Sequence, residues 1–230
     1  MIRLAMFDMD GVLFDSMPRH IAAWEKVFGS RGITIAPEDI YANEGRSSQS
    51  IIDIVVRKYL GHPADEEQLS VMYAEKNGHV ARMGNMPSMP GTVDVLSAAK
   101  SRGLDCIVVT GSGNEALLSY ICQVYPEFFT RDKIVSASDC KRCKPAPEPY
   151  QKGMRIAGIT DPSEALVVEN APLGIQSGKA AGCTVAAVNT GPLPDSLLWE
   201  SGADYVFHSM AELAAGLDTV LKRDTEPSSV

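Results

Sequence analysis

Leu4-Ala5-Met6-Phe7-Asp8-Met9-Asp10-Gly11-Val12-Leu13 carries an apolar run straight into two carboxylates one residue apart. The apolar residues before Asp8 read as a buried parallel strand, and ligands in such sheets bind at the carboxyl ends of strands. Side chains alternate along a strand, so Asp8 and Asp10 share a side, and Gly11 follows where the chain can turn. Oxygen ligands in small number suit Mg²⁺, which keeps several waters and often meets its substrate through phosphate. The pair marks a candidate metal site with a carboxylate to spare.

Outward from this strand, residues 16–83 have helical periodicity. Ile21, Trp24, Val27 and Phe28 recur at helical spacing, as do Ile51, Ile52, Val55, Val56 and Leu60. After a turn at residues 87–90, helices alternate with β-rich runs at 104–110, 134–137, 165–169, 184–189 and 205–207. That alternation predicts an α/β fold with right-handed crossovers and a doubly wound parallel sheet. The expected organisation is a core of residues 1–15 and 85–230 with a helical insert at 16–84. Connections near 14–18 and 83–90 would act as hinges, letting the insert close over the strand ends. The polar tail at 222–230 is expected to fray.

The 230 residues are 45% hydrophobic, enough for a globular core and too apolar for a disordered chain. A formal net charge of −8 disfavours nonspecific binding to nucleic acid or anionic membranes, which need clustered Lys and Arg. No run approaches a membrane span, and the N-terminal apolar stretch is interrupted by Asp8 and Asp10 before it resembles a signal peptide. Five cysteines form an odd set without a disulfide framework, so a reducing cytoplasm is the expected setting. Cys140-Lys141-Arg142-Cys143 has no second ligand pair spaced for zinc and reads as a loop.

Other predicted strands end in chemistry that complements the carboxylates. Val109-Thr110-Gly111-Ser112-Gly113-Asn114 places a hydroxyl and a glycine-rich turn before a helix. There Gly111, Ser112 and Asn114 can help cradle a phosphoryl group through backbone N–H groups. Lys144 precedes Pro145-Ala146-Pro147-Glu148-Pro149-Tyr150, a stiff segment that would hold one ammonium in a fixed direction. A fixed cation can neutralise both a nucleophile and a transferring phosphoryl group. Val168-Glu169-Asn170 ends a further strand in oxygen donors that Mg²⁺ accepts.

Taken in order, Asp-x-Asp-Gly, Thr-Gly-Ser, Lys-Pro and Glu-Asn resemble the haloacid dehalogenase superfamily over nearly the whole chain, in the branch with a helical cap inserted after the first strand. The resemblance implies a Rossmann-like core, Mg²⁺ and an aspartyl-phosphate intermediate formed from a small phosphorylated substrate. Asp8 would be the nucleophile. Asp10 would be the general acid and base, and would also give Mg²⁺ its backbone carbonyl. Thr110 and Lys144 would hold the phosphoryl group. Asn170 would ligate Mg²⁺, with Glu169 beside it at the metal. Many relatives place Asp at the position of Asn170, so this metal site carries one negative charge fewer.

A closer resemblance, through residues 15–20 and Lys76-Asn77, is to β-phosphoglucomutases. There the cap loop matching Asn43-Glu44-Gly45-Arg46-Ser47-Ser48 carries cations that grip a second phosphate. Glu44 stands where the resemblance implies a mutase lysine and Ser48 where it implies an arginine, which weakens such a clamp. An acid in a closing cap can instead reach the metal, and Glu44-Gly45-Arg46 in the cap together with Glu169-Asn170-Ala171-Pro172-Leu173-Gly174 in the core resembles the inorganic pyrophosphatases of the superfamily. The expected substrate is pyrophosphate, met by His20, Arg46 and Lys76 with Glu44 at the Mg²⁺ complex. A sugar phosphate or phosphoglycolate phosphatase and a β-phosphoglucomutase are the alternatives. A monomer is expected, because the cap itself encloses the site.

Overall fold

The computed structural model describes residues 1–222, so most of the tail expected to fray lies outside the described residues. Its six strands are β1 (Leu4–Phe7), β2 (Asp105–Val109), β3 (Ile134–Val135), β4 (Ala165–Glu169), β5 (Thr184–Val188) and β6 (Tyr205–Phe207). They pair in parallel in the order β3-β2-β1-β4-β5-β6. The chain builds outward from β1 to β3, then returns to lay β4 on the other side of β1. The crevice outside the carboxyl ends of β1 and β4 is therefore the topological switch point.

Helices cover both faces. Ala5, Phe7, Val108 and Val168 point to one side, against α5 (Thr92–Ser101), α6 (Glu115–Val124) and α10 (Met210–Leu221). Leu4, Met6, Val109 and Val167 point to the other, against α7 (Glu148–Ile156), α8 (Pro172–Ala180) and α9 (Asp195–Glu200). Burial on both faces explains why these strands read as continuous apolar runs.

β4 and β6 match their β-rich runs, whereas β2, β3 and β5 are shorter than theirs. Beyond Val135 the Asp139 carboxylate accepts the Ser136 N–H at 2.8 Å and its hydroxyl at 2.6 Å, drawing the chain into a 3-10 turn at Ala137–Asp139. Cys140 and Cys143 lie in the loop that follows, and all five cysteines are free thiols.

Between β1 and α5 stand α1 (Met17–Gly29), α2 (Pro37–Tyr41), α3 (Ser48–Leu60) and α4 (Glu66–Ala81), which make up an all-helical inserted cap. Trp24, Val27 and Phe28 of α1 pack with Ile51, Ile52, Val55 and Val56 of α3 and Met72 of α4, realising the predicted apolar spacing except at Leu60, which is exposed at the end of α3. Sequence caps set the helix limits. Ser47 accepts from Ser50 N at 3.2 Å ahead of α3, Gly61 ends it at φ +77°, and Asp65 with Gln68 forms a capping box on α4.

The two connections between cap and core run side by side. Asp15 N donates to Pro87 O and Met89 N to Leu13 O, each at 2.9 Å. Arg19 donates to the carbonyls of Met83 and Gly84 across the gap. Two core tyrosines hold this ribbon from below, Tyr120 on Met86 O at 2.9 Å and Tyr125 on Leu13 O at 2.7 Å. The cap also rests on the core beyond β5, where Leu193 enters the cap's apolar cluster and Gly191 leaves room for the Tyr41 ring.

Candidate active site

Asp8 follows β1 directly, its N–H donating to Val168 O of β4 at 3.0 Å. The chain then doubles back: Gly11 takes φ +78°, and Leu13 and Phe14 both donate to Met9 O at 3.0 Å. A side chain at Gly11 would collide with the Asn170 amide, so this turn requires glycine twice over. Asp10 leaves the turn with Oδ1 accepting from Ser16 Oγ at 2.5 Å and lying 3.2 Å from His20 Nε2.

Lys144 is buried, 4% exposed, and its ammonium is fully coordinated. It donates to Asp8 Oδ1, to Glu169 Oε1 at 2.6 Å and to Val109 O at 3.0 Å. Both oxygens of Glu169 are occupied by protein donors. Oε1 also accepts from Tyr150 Oη at 2.8 Å, and Oε2 from the N–H groups of Asn170 at 3.0 Å and Ala171 at 3.3 Å. A side chain at Gly174 would strike this carboxylate. Glu169, expected beside the metal, is thus tied down as the counter-charge of Lys144.

The cap meets these groups from above. Asn170 Nδ2 donates to Glu44 Oε2 at 3.0 Å, and Gly45 lies against the Lys144 side chain and Gly111. Asp8, Asp10, His20, Glu44, Arg46, Lys76, Gly111, Ser112 and Asn114 line one cavity of about 730 Å³ between cap and core. Lys76 stands 5.6 Å from the Trp24 ring centroid on its wall. Arg46 is exposed at the mouth, its Nε donating to Asn43 Oδ1 at 3.1 Å. Thr110 is buried beside the glycine turn, its hydroxyl accepting from Ser112 N at 3.0 Å, and Asn114 caps α6 through Ala116 N at 3.0 Å. Ser16 and Tyr150 are partners that spacing alone did not disclose. Ser16 stands six residues beyond Asp10 and Tyr150 six beyond Lys144, and only the fold aims each at the site.

Charge is crowded here. Burial, with Glu169 and Asp10 adding to it, pushes the Asp8 carboxyl up to about 8 against the pull of Lys144. Burial and the neighbouring Asp8, Asp10 and Glu169 carry Glu44 well above the usual carboxylate range. Asp10 goes the other way: burial raises it, but His20, Ser16 and Lys76 outweigh burial and hold it below its ordinary value. Burial lowers the Lys76 ammonium, with Asp10 opposing.

Asn170 Oδ1 and Glu44 Oε1 are buried without hydrogen-bond partners. Unmet acceptors among crowded carboxylates are what a cation satisfies. Among the described residues no compact set of three His, Cys, Asp or Glu side chains forms a metal cage. The donors on offer are instead carboxylate, carboxamide and backbone carbonyl oxygens, a mixture that suits a hydrated Mg²⁺ better than a thiolate or imidazole metal.

A sheet that brings these motifs to its switch point beneath a helical cap defines a class, and comparison with known proteins agrees. The haloacid dehalogenase-like hydrolase family matches residues 2–182, and the chain belongs to that family. It is an enzyme, a hydrolase of phosphatase type. It is 31% identical over 212 residues to hexitol phosphatase A of Escherichia coli K12, covering 90% of this chain and 91% of that one. It is 29% identical over 228 residues to glycerol-1-phosphate phosphohydrolase 1 of Saccharomyces cerevisiae, covering 94% and 85%. Among solved structures, a Bacteroides vulgatus protein provisionally named a beta-phosphoglucomutase superposes with a TM-score of 0.88 at 42% identity, over 98% of this chain and 91% of that one. No helix among the described residues is long and apolar enough to cross a membrane.

Proposed function

We propose that this protein is a Mg²⁺-dependent phosphatase that transfers the phosphoryl group of a small sugar or polyol phosphate to Asp8 and then to water. The observation that carries the reading is Lys144, bonded at once to Glu169 and to Asp8, the carboxylate that lines the cap–core cavity. In the first step an Asp8 oxygen attacks phosphorus, the bond to the leaving oxygen breaks, and Asp10 gives that oxygen a proton. In the second step Asp10 takes a proton from water, the water oxygen attacks the same phosphorus, and Asp8 is released. Lys144 and the Thr110–Ser112 turn face the charge that spreads over the phosphoryl oxygens. The ionised Asp10 suits the second step. In the first, the negative charge of the bound substrate raises its affinity for a proton.

Asp8, the Asp10 carbonyl, Asn170 and Glu44 would hold Mg²⁺, with Glu169 behind them on Lys144. When bound, the ion withdraws charge from the phosphoryl oxygens. The division into a core of residues 1–15 and 85–230 and a cap of 16–84 belongs to the same proposal. The paired linkers support motion there, and one chain's own cap covers the cavity, which supports a monomer. Free cysteines support a reducing, cytoplasmic setting.

The phosphatase relatives put sugar and polyol phosphates first. Pyrophosphate, the first expectation from the cap loop, becomes the second reading, favoured by the Glu44–Asn170 bond that seats a cap acid at the metal donors. The test is a panel with Mg²⁺: hexitol and hexose 6-phosphates, glycerol 1-phosphate, phosphoglycolate, pyrophosphate and β-glucose 1-phosphate, scored for phosphate release and isomerisation. Highest kcat/KM on a sugar or polyol phosphate supports the proposal, and highest kcat/KM on pyrophosphate replaces it with the second reading. Isomerisation of β-glucose 1-phosphate without net phosphate release would make the enzyme a mutase instead.

A further inference from the structure

We propose that Tyr150 is a positioning residue that sets how Lys144 is shared between Asp8 and Glu169, an inference resting on the reading of Asp8 as phosphoryl acceptor. Tyr150 is fully buried and its hydroxyl is taken up by Glu169, so it reaches the site through that carboxylate. Its hydroxyl donates at 2.8 Å to Glu169 Oε1, the oxygen that also receives Lys144 Nζ at 2.6 Å. Its ring centroid lies 5.2 Å from the same ammonium. Backbone N–H groups hold Oε2 of the carboxylate, so Glu169 cannot swing away when one partner of Oε1 changes.

The consequence is a competition for one cation. Glu169 and Asp8 both draw on the Lys144 ammonium, and the Tyr150 hydroxyl satisfies part of the Glu169 charge, leaving more of the ammonium for Asp8 and the phosphoryl group. The ring face gives the ammonium a further weak attraction and a fixed wall. Without the hydroxyl, Glu169 Oε1 keeps only Lys144 and draws it away from the reacting atoms. Contacts on the cap side of the cavity are untouched. The loss therefore falls on the transition state rather than on substrate binding.

The test is Tyr150→Phe, which keeps the ring and removes the hydroxyl, in the full chain with Mg²⁺ and the best substrate of the panel. Each protein is assayed well below its own melting temperature, which separates rate from stability. For Tyr150→Phe, KM is expected to stay within about twofold while kcat falls about tenfold, the scale of one lost hydrogen bond to a charged group. Orthovanadate, which mimics the five-coordinate phosphorus, should inhibit more weakly by a similar factor. Tyr150→Leu, lacking the ring as well, should lose more kcat than Tyr150→Phe. Unchanged kcat and vanadate inhibition, or a rise in KM that accounts for the whole loss, would overturn the role. Asp8→Asn assayed alongside keeps the two readings apart. Turnover remaining in Asp8→Asn removes the covalent mechanism itself. An inactive Asp8→Asn beside a Tyr150→Phe with normal kcat removes only the role of Tyr150.

Discussion

Asp8, Lys144 and Glu44 are charged groups of one site that do different work. Asp8→Asn keeps an oxygen for Lys144 and the shape of the side chain, so the protein should fold while turnover of every substrate in the panel falls below detection. Steady-state assays with circular dichroism melts check both halves. Lys144→Met is the opposite case. It leaves Asp8 and Glu169 buried without their cation, and removing one partner of a buried pair costs about 3–5 kcal/mol. Urea unfolding in the absence of divalent cations should show a loss of that size, and a loss near zero would mean that the two acids ionise little in the folded chain. Glu44→Asn removes the cap acid from Asn170, and its effect divides the two substrate readings. If pyrophosphate is the substrate, its hydrolysis should fall about tenfold or more beyond any fall with hexose phosphates, on the scale of a lost metal-site contact. Equal losses would leave Glu44 with closure alone.

At the scale of elements, α2 and α3 are tied through Asp39. Its carboxylate accepts from Lys58 Nζ at 2.5 Å, from Tyr59 Oη at 2.7 Å and from Ala36 N at 3.3 Å. Burial pushes the Asp39 carboxyl up, but these three donors outweigh it and hold its folded pKa below the ordinary value of 3.8. A lowered folded pKa means that the stabilisation is complete above the unfolded value and is lost as pH falls through the folded one. Asp39→Asn should therefore lower Tm by no more than about 2–4 °C at neutral pH, the pair being partly solvent-screened. The gap from the parent should close as the pH is taken below 3.8, as differential scanning calorimetry would show. A constant gap across that range would mean that Asp39 acts by shape alone. The linkers belong to this scale as well: they are bonded to each other and stapled by Arg19, which supports the proposal that the cap moves as a body.

Across the whole molecule, the parallel sheet delivers Asp8 and Asp10 from β1 and Glu169 and Asn170 from β4 to one crevice, and the cap brings Glu44 down on them. A divalent cation there should raise stability, because anything that binds only the folded state adds RT ln(1 + [L]/Kd), about 2.7 kcal/mol at a hundredfold excess over Kd. Thermal melts of chelator-treated protein should climb with added Mg²⁺, and Asn170→Ala should shrink the rise. No rise at millimolar Mg²⁺ would remove the metal from the proposal.

Local sequence carried the architecture and pointed to most of the candidate participants. Short apolar runs that alternate with helices read as strands buried on both faces, and an Asp-x-Asp-Gly at the end of such a run is legible because local spacing imposes it. Helical spacing likewise disclosed the cap, since Trp24, Phe28 and Val55 repeat at the period of the face they bury. What local spacing cannot carry is the pairing of charges brought together from distant parts of the chain. That Glu169 serves Lys144 rather than standing free, that Tyr150 completes the same carboxylate, and that Glu44 reaches Asn170 were decided only by the tertiary structure. Burial makes each unpartnered polar group costly, and the fold alone sets which partner is within reach.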